Sequence, residues 1–348
     1  MPTTLPLRFR TPTRIAPWLA AIAIGSASCQ ALPPPARADA RDGVVRAGSP
    51  EEAREIAGAL DVLFPAVLSE VPDAHARRLE VWVQKEPAMY RFPPSTTYSE
   101  ADGFFSDRLS RIHLRAGADD VRRTLAHELV HASLGSSWRD LPGTIEEGLC
   151  DVVATRLCPG SAVRLRAGRL LAAALALGGF DIQYPEPRDV AEPKAGDEVR
   201  YVQHVFSPGS RVDPIDPLEV FRSHAGRSTE AIPGDTKKAL YGLAYLVADR
   251  IVERRGVEGL HALVTSRSNG RDIDRSIDAL LGAADLTRNP EDWRRAISSA
   301  IGPPELLEIS RILPGLLVSG GADLRLQEAR GAGQVAARLD VRCARRER

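Results

Sequence analysis

The sequence predicts an α+β fold. A small mixed sheet lies beside a helix that carries His127-Glu128-Leu129-Val130-His131, and a mainly helical half follows. Three observations predict it. Leu79-Glu80-Val81-Trp82-Val83-Gln84 alternates as a strand does, while Gly103-Phe104-Phe105 and Ile112-His113-Leu114 read as two more, joined by polar residues 106–110. Apolar positions around Leu125, Leu129 and Val130, and in several later runs, recur at helical spacing. The H-E-x-x-H pattern then places metal chemistry on the first of those later helices.

The elements follow in order. Ser49-Pro50-Glu51-Glu52 combines a capping serine, a proline at the first helical position and a glutamate at the third. Ile56, Leu60, Leu63, Phe64 and Val67 continue it as one apolar stripe. Ala118-Asp119 leads into the motif helix, which Gly135 ends. Thr144 reads as the N-cap of the next helix, with Val152, Val153 and Leu157 carrying its apolar face to Pro159-Gly160. Residues 163–177 form a third helix, too short and too rich in arginine to span a membrane.

Residues 179–235 contain seven prolines and little periodicity, so an irregular insertion beside the site is expected, holding His204 and His224. Either histidine is an ordinary surface residue or a group that stabilises a transition state. Order resumes with a strongly apolar helix over 241–252 that stops at Gly256, and shorter helices begin at Leu260, Ile273 and Trp293. The implied organisation is a core over 49–178, the insertion, a helical subdomain over 236–300 and a tail over 301–348.

Composition excludes some functions. The 348 residues are 43% hydrophobic, enough for a substantial core, and the formal net charge of +0 offers no electrostatic case for nucleic acid. Arg8, Arg10 and Arg14 precede a short apolar run, and Ala36-Arg37-Ala38 supplies an A-x-A cleavage site. Residues 1–38 are therefore expected to be a removed export signal, leaving a periplasmic, secreted or envelope-anchored protein. The alternative is lipoprotein processing at Cys29, with a signal to residue 28 and a lipid anchor in place of a membrane span. Cys150 and Cys158 lie two turns apart on one helix, roughly 12 Å by the helical rise, too far to pair with each other. One of them bridges to Cys343, or both are buried thiols.

The chemistry centres on the motif. Positions i and i+4 share a helix face, so His127 and His131 reach one metal ion, and Glu128 is placed to take a proton from a water that the metal activates. Two histidines and a glutamate inside an apolar helix need partners, and a Zn2+ ion supplies one. The third ligand is Glu146 or Glu147. Asp151, one turn beyond Glu147, is placed to hold the far nitrogen of a ligand histidine, as zinc sites require. Cys150 as a ligand would break this histidine-histidine-glutamate logic.

These residues resemble the gluzincin metallopeptidases, whose catalytic domain is thermolysin-like. The resemblance rests on H-E-x-x-H and on E-G-x-x-D at Glu147, Gly148 and Asp151. Leu134 and Ser137 stand where the metzincin pattern needs glycine and histidine. The resemblance implies a zincin-like fold, ligands His127, His131 and Glu147, general base Glu128, and a peptide or protein substrate. It also implies that the strand before the zinc helix is an edge, so Ile112, His113 and Leu114 would bind extended substrate by β-augmentation. His113 itself reads as a strand side chain rather than a ligand. In the helical half, Tyr241 and Tyr245 share a face, and Tyr241 is the candidate for stabilising the oxyanion. Two other readings use the same residues: a non-catalytic, zinc-stabilised binding protein, and a zinc amidase acting on a cell-wall peptide link.

Overall fold

The computed structural model describes residues 33–85, 102–177, 180–185, 199–206, 234–266, 273–302, 304–309, 311–312, 325–331 and 338–341. The fold is mixed α and β. Strands β1 (Ala36–Ala40), β2 (Gly43–Ala47), β3 (Leu79–Gln84), β4 (Gly103–Ser106) and β5 (Arg111–Arg115) form a sheet in the order β1-β2-β3-β5-β4. β2, β3 and β5 are parallel, and β1 and β4 flank them antiparallel. Alternation decides the faces. Val45, Val81, Val83, Ile112 and Leu114 are buried in one continuous core with Leu60, Leu63, Phe64 and Val67 of α1 (Pro50–Glu70) and with Leu125 and Leu129 of α2 (Val121–Ser133). The α1 start is capped as expected, with the Glu52 amide donating to Ser49 Oγ at 3.2 Å.

Three expectations about the sheet change. The fold begins before residue 49, because β1 and β2 pair as a hairpin, with Ala36 opposite Ala47 and Ala38 opposite Val45. The A-x-A triplet thus lies inside a paired strand, where alternating small residues serve the ladder, and cleavage after Ala38 would cut through β1. The strand Arg111–Arg115 is interior rather than an edge, since β3 and β4 occupy both its sides. Its apolar side chains Ile112 and Leu114 have no exposure. The outer strand beside α2 is β4.

His113 points to the other face of the sheet, stacked on Phe104 at 4.5 Å and edge-on to Trp82 at 5.7 Å. The ring donates from Nδ1 to Gln84 Oε1 at 3.2 Å. Burial, helped by the Arg111 charge, pushes its pKa down to about 4, so it is a neutral strand side chain.

The helical half packs on α3 (Gly143–Leu157) and α4 (Pro159–Ala176). Its centre is α5 (Gly234–Thr265), in which Leu240, Leu243–Ala248 and Ile251 are all buried. Gly256, non-helical at φ 70° and ψ 176°, divides Gly234–Thr265 into two helices, so the first stops where the sequence expected. Backbones meet closely at two glycines. A Cβ on Gly148 of α3 would strike the Ala244 carbonyl of α5, and one on Gly242 of α5 would strike Arg169 and Ala173 of α4. Helices α6 (Ile273–Ala283) and α7 (Pro290–Ala300) follow.

The stretch expected to be an irregular insertion contains β6 (Phe180–Pro185) and β7 (Val199–Phe206), and the tail contains β8 (Arg325–Gly331) and β9 (Arg338–Val341). These form a second, antiparallel sheet in the order β8-β7-β6-β9. β6 and β7 pair with each other locally, but their outer partners β9 and β8 lie more than 100 residues away, which hides those pairings from local periodicity. His204 lies on β7, opposite Ile182 and Leu326. His224 and Cys343 lie outside the described residues. Among the described helices, none is long and apolar enough to cross a membrane.

Close packing at Gly148 has a measurable consequence. Gly148→Ala should lower stability by about 1–3 kcal/mol through overpacking. Gly58→Ala, inside α1 with open space around it, should instead be neutral or stabilising by up to about 1 kcal/mol. Urea midpoints of the two variants against wild type check the contrast.

Candidate metal centre

Helices α2 and α3 run antiparallel, and their facing side chains meet in matched pairs. The α2 start is capped by Asp120, whose carboxylate accepts from the Arg123 amide at 2.9 Å. Helix α3 begins at Gly143 after Pro142, so Thr144 is not its N-cap; the fixed φ of Pro142 starts the helix two residues earlier. The Thr144 hydroxyl is buried without a hydrogen-bond partner among the described residues. The capping-box reading of Thr144 with Glu147 therefore fails, and Glu147 is committed elsewhere.

Glu146, Glu147, Cys150 and Asp151, at i, i+1, i+4 and i+5, form the face of α3 turned toward α2. His127 Nδ1 lies 2.9 Å from Asp151 Oδ1, and His131 Nδ1 lies 2.7 Å from Glu146 Oε1. The two remaining ring nitrogens converge on one oxygen, with Glu147 Oε2 at 3.2 Å from His127 Nε2 and 3.4 Å from His131 Nε2. Both carboxylates flanking the histidines need a donor, which fixes the proton of each neutral ring on Nδ1. Two Nε2 lone pairs then face a carboxylate oxygen, and acceptors at that range repel unless a cation lies among them. Tetrahedral coordination with bonds of about 2.0–2.2 Å sets ligand atoms about 3.3–3.5 Å apart, close to the spacing of the Glu147 oxygen from each ring nitrogen. The donor set fits a small divalent cation.

The electrostatics agree. Burial works against charge on His127, but the hydrogen bond and charge of Asp151, then Glu147, hold its pKa up at about 9. For His131, burial is likewise outweighed, by neighbouring Cys150, Glu147 and Glu146, and its pKa is raised well above the usual value. Burial would raise the Glu147 pKa, yet the two histidines keep it well below the usual carboxylate range. The Asp151 carboxyl is fully buried; burial opposes its charge, and Arg169 with His127 brings its pKa down to about 2. This cluster demands positive charge at the Nε2 atoms, whether protons or a metal.

Glu128 projects to the sheet side of α2 and is 5% exposed. Burial lifts its pKa above the usual value, against the pull of His127 and His131. Its carboxylate accepts the Phe105 amide, at a rung of the β4–β5 ladder whose N–H points off the open edge. Gly103 makes the approach feasible, since a Cβ there would come within 2.7 Å of Thr124 and 3.2 Å of Glu128.

Arg169 of α4 is the functional neighbour that sequence reasoning missed. Its Nε donates to Asp151 Oδ2 at 2.5 Å, and its guanidinium lies 4.8 Å over the Tyr241 ring. Nothing at Arg169 itself signals this, because the contact forms only when α4 folds back on α3. Tyr241 is thus joined to Asp151 through Arg169. Tyr245 lies elsewhere, fully buried, donating to Asp249 Oδ1 at 3.4 Å beside Arg166. Among the described residues Cys150 and Cys158 are buried free thiols.

No family model, curated protein or solved structure matches this chain.

Two outcomes follow from the buried charges. Arg169→Met leaves Asp151 without its cation and should cost about 3–5 kcal/mol in a urea titration. Burial lifts the Asp249 pKa to about 6 despite Arg166. A raised acid stabilises the fold most below its ordinary 3.8, and that contribution is lost as pH rises through about 6. Thermal midpoints measured from pH 4 to 7 should show this loss in wild type, and Asp249→Asn should flatten it.

Proposed function

We propose that the chain is a zinc-dependent hydrolase of peptide bonds, of gluzincin-like build and acting outside the cytoplasm. The observation that carries the reading is the convergence of His127 Nε2 and His131 Nε2 on one Glu147 oxygen, at 3.2 and 3.4 Å, with both outer nitrogens held by carboxylates. His127, His131 and Glu147 would hold the zinc. Bound there, zinc supplies Lewis acidity toward a water and a substrate carbonyl.

The rest of the chemistry belongs to the chain. Glu128 takes the proton of the attacking water and delivers it to the leaving amine, and its raised pKa suits both duties. Asp151, fixed by Arg169, orients His127, and Glu146 orients His131. An extended peptide would pair with the outer edge of β4 at the rung that Glu128 leaves free, Gly103, and so lie beside Glu128. Tyr241 is left next to Arg169, a contact that favours support of Asp151 over oxyanion stabilisation. An export route compatible with β1 ends before Ala36, which favours processing at Cys29 over cleavage after Ala38.

Glu128→Gln should retain zinc while lowering hydrolysis of a generic peptide substrate by roughly 10²–10⁴-fold. Glu147→Ala should lose zinc. Metal analysis and a peptide-cleavage assay on both variants check the pair; turnover retained in Glu128→Gln would refute the base assignment.

A further inference from the structure

The carboxylates do not exhaust the donors around the two histidines. Cys150 is fully buried on the same face of α3, three residues after Glu147 and four after Glu146. Its Sγ and one ring nitrogen from each of His127 and His131 lie within 4.8 Å of one another. The thiol and the His131 ring are close enough to shift one another's protonation. This is an unusual seat for a cysteine serving only as a small apolar filler. Cys150 is in the buried core with Leu149, Val152 and Val153, and it alone of the four also borders an imidazole and carboxylates, those of His131, Glu146 and Glu147. Cys158, the other buried thiol, lies by Asp120, Arg122 and Arg123 and has no part in the cluster.

Reach can be judged from bond lengths. A zinc–sulfur bond of about 2.3 Å and zinc–nitrogen bonds of about 2.0–2.1 Å set sulfur and nitrogen about 3.5 Å apart in a tetrahedral centre. The sulfur therefore needs to close by little more than about 1 Å, within the play of a side chain already at the site.

We propose that Cys150 is a fourth protein donor to the metal held by His127, His131 and Glu147, its sulfur taking the position that hydrolysis needs open. The inference rests on the zinc reading above and adds to it a built-in occupant. On ligation the S–H proton passes to solvent and a metal–sulfur bond forms, with no change in oxidation state. A centre with one soft donor selects zinc, cobalt or cadmium over magnesium or manganese. It also stays closed to water until the sulfur is displaced, as a four-donor site is.

The test is the absorption spectrum of the full chain loaded with cobalt(II), with bound cobalt measured alongside. Wild type should show a sulfur-to-cobalt charge-transfer band in the near ultraviolet. Cys150→Ser and Cys150→Ala should lose the band and keep one cobalt per chain, while Cys158→Ser should keep both. Bound cobalt without the band in wild type overturns Cys150 ligation and leaves the histidine–glutamate site standing. A band that survives in the Cys150 variants overturns it equally. Absence of bound cobalt in wild type overturns this proposal and the metal reading together.

Discussion

The structure depends on burying Glu147 and Asp151 against His127 and His131 between two antiparallel helices. Removing such charges from water costs several kcal/mol per ion unless each is matched, so every group must find its partner in place. The matching runs outward in layers. His127 is held by Asp151, Asp151 by Arg169, and Arg169 is placed by α4, which Gly242 allows to lie directly on α5. Gly148 sets α3 against the same α5 backbone from the other side. The long apolar helix is thus the wall that keeps both halves of the charged cluster in register.

Much of this was legible in the sequence because it is local. Spacing of i and i+4 within one helix needs no knowledge of the fold, so His127, Glu128 and His131 declare themselves, and the capping serine of α1 does the same. Glu147 and Asp151 were readable for the same reason, each one turn from the other on the next helix. The helix stop at Gly256 was visible because a glycine there follows the charged last turn Glu253-Arg254-Arg255 of an apolar helix.

What escaped is settled by pairing across the chain. The identity of the edge strand follows from strand order, and β4 takes the outer place although it precedes β5 by only four residues. Ala36-Arg37-Ala38 has the small residues of a processing site and also the alternation of a strand, and its pairing with Gly43–Ala47 is visible only in the sheet. Arg169 carries no local mark at all. Thr144 misled because a threonine three residues before a glutamate fits a cap, while Pro142 with its fixed φ had already started the helix.

Glu128 has a second effect through its bond to the Phe105 amide. An exposed strand edge with unpaired amides is a template on which another copy of the chain can add a strand, and proteins blunt such edges with charge. Here β4 is short, its amide at Phe105 is already taken, and the group that takes it is a carboxylate. The residue proposed for proton transfer thereby also guards the sheet against self-association, so replacing its carboxylate would free a strand-edge amide as well as remove the proposed base.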